Sequence, residues 1–107
     1  MLSQIPFSMD KLEQEDINRQ ILRVGLIAEL DAINLYEQLA SLTNDEKIKT
    51  IFLDIAREEK THVGEFLTLL LMNDEEQEDE LEEGKEEVEE LLEEEEEWLK
   101  RFNYQNG

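Results

Sequence analysis

The feature that most constrains this chain is a four-residue break, Thr43-Asn44-Asp45-Glu46, between two long proline-free segments with apolar residues at helical spacing. From about Ile17 to Leu42, one seam runs through Leu22, Leu26, Ile33, Tyr36 and Ala40, with Glu29 in line. A second runs through Ile21, Val24, Ala28, Leu35, Leu39 and Leu42. From about Asp45 to Met72 the seam is Ile48, Phe52, Ile55, Glu59, His62, Phe66 and Leu69, with Ile51, Ala56, Val63 and Leu70 beside it. Thr43 or Asn44 is placed to cap the second helix, with Glu46 in its first turn. So short a break folds the helices back on each other, and the spacing predicts an all-α antiparallel two-helix hairpin. Its apolar surface is wider than one partner helix covers, which predicts dimerisation into a four-helix bundle. Gly25 costs about 1 kcal/mol against alanine within a helix, a cost expected where another helix must approach closely.

The flanks differ from this body. Residues 1–14 contain Pro6 and no clear periodicity, so an extended N-terminal arm is expected, with Ser8 or Asp10 available to cap a first turn. The hairpin then spans residues 15–73, and residues 74–107 form an acidic C-terminal helix and tail. Of the 30 acidic residues, 17 lie between Asp74 and Glu97, where Lys85 is the one basic residue. The rest of the chain holds 13 acidic against 9 basic residues, close to balance. Helix formers extend from about Gln77 to Phe102, with a thin stripe of Leu81, Val88, Leu91, Leu92, Trp98, Leu99 and Phe102. Gly84 is expected to interrupt this helix, and Glu93 to Glu97 oppose it by a few tenths of a kcal/mol, roughly, per like-charged pair. Trp98 reads as an anchor, and Asn103 to Gly107 as a frayed end.

A net charge of −20 repels nucleic-acid phosphates and an anionic membrane surface, and is compatible with gathering cations. With no cysteine, disulfide, thiolate and iron–sulfur chemistry are excluded. The apolar run Leu69-Leu70-Leu71-Met72 is far too short to span a bilayer. No N-terminal segment has the basic flank and apolar core of a signal peptide, so a soluble, cytoplasmic protein is expected.

Chemistry concentrates at three positions. His62 is the only histidine, and it stands three residues after Glu59. That Glu-x-x-His spacing puts a carboxylate and an imidazole one turn apart on one helix face. Glu29 lies 15 residues before Asn44 and Glu59 lies 15 after it. At about 1.5 Å rise per residue, both stand roughly 22 Å from the turn, level across the hairpin. Two carboxylates on an apolar seam are costly without a neutralising partner, and a bound cation supplies one. Carboxylate with imidazole suits iron, manganese or zinc. One chain offers three ligands, too few for a metal pair. Two chains about a two-fold axis offer four carboxylates and two imidazoles, the complete set of a di-iron carboxylate bundle.

Ala28-Glu29-Leu30-Asp31-Ala32, then Tyr36-Glu37-Gln38, then Arg57-Glu58-Glu59-Lys60-Thr61-His62 resemble the encapsulated ferritin-like proteins, half-ferritins that work inside encapsulin nanocompartments. The resemblance covers about residues 17 to 73. It implies a ferritin-like four-helix bundle made by two chains, with dimers in a ring, typically a decamer. It also implies a ferroxidase that oxidises Fe(II) with oxygen at two irons per subunit pair and passes Fe(III) to the encapsulin shell for storage. Matched by position, Glu29, Glu59 and His62 are the iron ligands: Glu29 terminal, Glu59 bridging and His62 the terminal nitrogen. Tyr36 matches a tyrosine near the centre, and Asp31 an acidic metal-entry residue. Ala28 departs from the pattern, since family members can carry a second acidic entry residue there.

Two other classes compete with this reading. One is an acidic cargo or assembly protein whose Glu/His cluster binds metal only structurally, zinc for example. The other, a peroxide-reducing relative of the rubrerythrins, is disfavoured by the lack of a cysteine pair for a rubredoxin-type iron.

Overall fold

The computed structural model describes residues 13–106, with side chains through residue 103. The expected arm, with Ser8 and Asp10, lies outside them except for its last two residues. Every element among the described residues is a helix: α1 is Gln14–Leu42, α2 is Glu46–Asn73 and α3 is Glu75–Asn106. No helix among the described residues is long and apolar enough to cross a membrane. The chain divides into two units, one reaching to Asp74 and one from Glu75 onward.

In the first unit, α1 and α2 pack against each other as a hairpin. Asp45, not Thr43 or Asn44, caps α2. Its carboxylate accepts from the backbone amides of Lys47 at 2.9 Å and Ile48 at 3.1 Å, two donors that the helix itself leaves unpaired. Thr43 instead closes α1 in extended backbone and holds the cap: its Oγ1 accepts from the Asp45 amide at 3.1 Å. A carboxylate next to Glu46 also suits the positive end of the helix dipole.

The far end of the hairpin is tied down by cations. Arg19 Nε donates to the Asn73 carbonyl at 3.0 Å, and Arg19 Nη1 pairs with Asp16 at 3.0 Å. Arg23 Nη2 pairs with Asp74 at 3.0 Å. Two guanidinium groups from α1 thus meet the electronegative end of α2, which has no basic residue in its own last turn.

Between these ends the core is thin. Among the described residues, Ile33, Ala40, Ala56 and Leu70 are buried. Ile21, Leu30, Leu35, Leu42, Ile48, Ile51, Leu53, Leu69 and Met72 remain exposed on the hairpin. Two helices each carrying two seams cannot cover both. The expected close approach does occur at Gly25: a Cβ there would lie 3.0 Å from Cε1 of Phe66, tighter than ordinary van der Waals contact.

The second unit is the single helix α3. It runs unbroken through Gly84, so the expected interruption does not appear, and among the described residues the helix continues from Asn103 to Asn106, where fraying was expected. One internal glycine costs about 1 kcal/mol, too little to stop a helix of good formers, and no proline follows. Trp98 is not buried as an anchor: it is 59% exposed and stacks on Phe102 of its own helix, ring centroids 5.4 Å apart.

Candidate metal centre

Glu29 comes from the middle of α1, and Glu59 and His62 from the middle of α2. Helical rise and the short turn bring them together, and each of the three offers a ligand atom within 4.8 Å of the other two. His62 Nδ1 lies 3.1 Å from Glu59 Oε2 and 3.5 Å from Glu29 Oε2. The carboxylate side chains are 20% exposed at Glu29 and 17% at Glu59, the imidazole 42%. The acids are therefore largely withdrawn from water, while the imidazole ring is more open to it. With its proton on Nδ1 the imidazole donates to Glu59; deprotonated, the same atom is directed to hold a cation between the acids.

The donor set fits a metal ion. Bonds of about 2.0–2.2 Å from carboxylate or imidazole let two ligand atoms of one ion stand up to about 4.4 Å apart, close to the spread observed. Oxygen and nitrogen donors without sulfur select iron, manganese or zinc over thiolate-seeking metals. Three ligands from one side leave coordination positions open toward the exposed face.

Tyr36 is not in the cluster. It stands seven residues after Glu29, as Phe52 stands seven before Glu59, so the two rings meet two turns nearer the hairpin turn on the same seam. Their centroids are 6.0 Å apart at 39°, and this aromatic rung closes the seam on that side. Asp31 also lies outside the cluster; two residues on from Glu29, it is rotated roughly 200° around α1. The pair whose ionisation is clearly displaced among the described residues lies apart from the site. Hydrogen bonding to Arg57 holds Asp54 below the usual carboxylate range and raises Arg57 in turn.

The Phe66–Gly25 packing on the other side of the cluster was not assigned to the site from sequence. Its signal was available: Gly25 is four residues before Glu29, and Phe66 four after His62.

Comparison with known proteins gives a consistent set of relatives. The EncFtn-like family model matches residues 4–87. A ferritin-like–encapsulin shell fusion protein of Pyrococcus furiosus is 57% identical over 72 residues, which are 67% of this chain and 21% of that protein. The encapsulin nanocompartment cargo protein EncB of Myxococcus xanthus is 37% identical over 65 residues, 61% of this chain and 40% of its own length. Cargo protein EncC of the same organism is 37% identical over 67 residues, 63% of this chain and 51% of its own. The chain thus spans about half or less of the length of these relatives. Among solved structures, the encapsulated ferritin domain from Pyrococcus furiosus matches with a TM-score of 0.73 and 54% identity, covering 85% of this chain and 95% of that one.

Proposed function

The chain belongs to the EncFtn-like family, and from that membership and the Glu29–Glu59–His62 cluster we propose that it is a ferroxidase whose site is completed by a second copy. The observation that carries this reading is the convergence of two carboxylates and an imidazole from two helices on a hairpin whose apolar residues remain largely uncovered. A two-fold partner would cover those residues and supply the other three ligands, giving two irons per subunit pair.

In this reading Fe(II) is the substrate and dioxygen the oxidant: each Fe(II) gives up one electron, and the reduced oxygen takes up protons. The protein's part is to bind and orient. Glu29 would hold one iron as a terminal ligand, Glu59 would be shared by the pair, and His62 would contribute the terminal nitrogen. Two carboxylates per chain offset the charge of the ions in a site shielded from water, and favour the more highly charged product. Tyr36, packed on Phe52, supports the seam beside the cluster, and Asp31 takes the place of the acidic metal-entry residue that the family resemblance implies.

The relatives' names extend the reading to assembly. One is fused to an encapsulin shell and others are nanocompartment cargo. On that basis the dimers assemble into a ring, a decamer in the form the family resemblance implies, enclosed by an encapsulin shell in the cytoplasm. The ring oxidises iron there for storage within the compartment.

The test is aerobic addition of Fe(II) to the protein and to His62→Ala, with oxidation followed by absorbance. Rapid oxidation by the parent and loss in the variant support the proposal; equal rates remove the site. Tight zinc binding without iron turnover would instead give the cluster to the structural-metal alternative, an acidic cargo or assembly protein.

A further inference from the structure

We propose that Gly25 and Phe66 are positioning residues for the cluster: their packing sets the separation of α1 and α2 at which Glu29, Glu59 and His62 converge. The inference rests on reading that cluster as a metal site.

Gly25 lies one turn before Glu29 on α1, and Phe66 one turn after His62 on α2. In an antiparallel pair these offsets place them as the neighbouring rung on the same face. A Cβ at Gly25 would stand 3.0, 3.1 and 3.2 Å from Cε1, Cδ1 and Cζ of Phe66. These are three consecutive ring carbons at nearly equal distance. A methyl group would therefore meet the ring broadside, and the ring or the helix carrying it would have to withdraw by a few tenths of an ångström. Gly64, two residues from His62, is the natural contrast, because a Cβ there meets nothing within 4 Å. Space is thus tight for a side chain at Gly25 and open at Gly64.

The location gives the contact its consequence. On the turn side the cluster is bounded by the Tyr36–Phe52 rung, where the rings meet at ordinary separation. On the other side the bounding rung is one turn away, and there a Cβ added at Gly25 would stand 3.0 Å from the Phe66 ring. Metal–ligand distances tolerate only about 0.2 Å, so a displacement of a few tenths of an ångström at that rung matters to ligands on both helices. Groups that orient ligands without touching the metal typically alter affinity by about 10- to 100-fold.

The experiment titrates the full chain with Co(II), whose visible absorption reports ligand geometry independently of any turnover. Gly25→Ala is expected to bind Co(II) about tenfold more weakly with an altered visible spectrum, at unchanged helical content and mass in solution. Gly25→Ala combined with Phe66→Leu, which gives the methyl group room, is expected to restore both, and Gly64→Ala to match the parent. Parent-like binding by Gly25→Ala, or no restoration by Phe66→Leu, would overturn the proposal while leaving the metal site standing. Should Gly25→Ala fail to fold, Phe66→Leu alone decides: loosening the rung must weaken Co(II) binding severalfold, and parent-like binding refutes the idea. A parent protein that binds no Co(II) would sink the metal-site reading itself.

Discussion

Glu29 of α1 and His62 of α2 stand 3.5 Å apart, carboxylate oxygen to imidazole Nδ1, across a hairpin whose turn is about two dozen ångströms away. Nothing local to either residue creates that proximity. It follows from two helices of matched length after a short turn, and it makes the pair a sensitive reporter of whether the hairpin and the site are one design.

Replacing His62 by alanine should separate function from folding. The side chain is 42% exposed, so its loss removes little packing, and helical content read by circular dichroism should match the parent. Fe(II) oxidation, read by absorbance, should fall by at least about tenfold, since even groups that only orient a ligand typically change activity by that much. A variant that oxidises iron at the parent rate would show that the cluster is not the site.

Metal should stabilise the fold. An ion that binds the converged Glu29, Glu59 and His62 and not the unfolded chain adds about 2.7 kcal/mol at a hundredfold excess over its dissociation constant. Thermal unfolding monitored by circular dichroism, with Mn(II) or Co(II) present and then chelated, should show a reversible rise in midpoint. Glu59→Gln and Glu29→Gln should lose that rise. A shift that survives in both would move the binding elsewhere, to the acidic α3 for instance.

Asp45→Ala should destabilise the hairpin by about 1 kcal/mol, the usual cost of removing an N-cap side chain. Asp45→Asn should recover most of it, since an amide oxygen can also accept from Lys47 and Ile48. Chemical denaturation of the two variants checks the order; equal stability of Asp45→Ala and the parent would show that the two cap bonds contribute nothing net.

The exposed apolar face should matter for association more than for the fold of one chain. Ile51 is 60% exposed and lines an open apolar groove with Ile48, Phe52 and Ile55. Ile51→Glu should leave helical content unchanged and reduce the mass in solution, as measured by sedimentation, because a charge would have to be buried in the assembly. An unaltered assembly would place the subunit contact on another face.

Much of this was legible in the sequence because it depends on local geometry. Helical periodicity needs only the spacing of apolar residues, and the level placement of Glu29 and Glu59 needs only the rise per residue and equal distance from Asn44. The cap was misplaced by one or two residues because Thr43, Asn44 and Asp45 are all competent caps. Which of them takes the role depends on where α1 stops, and that the local sequence leaves open. The interruption expected at Gly84 does not occur, because one glycine lowers helix propensity by only about 1 kcal/mol and good helix formers flank it on both sides.

What the sequence determined by itself is the set of elements and the rung on which Glu29, Glu59 and His62 meet, since both follow from a fixed repeat along one chain. What only the tertiary structure decided is how that rung is framed. Arg19 and Arg23 secure the end of α2, Tyr36 packs on Phe52, and Phe66 closes against the bare backbone of Gly25. Each depends on the distance and rotation between two helices. Those quantities are set by the packing of all the facing side chains at once and are written in no single stretch of sequence.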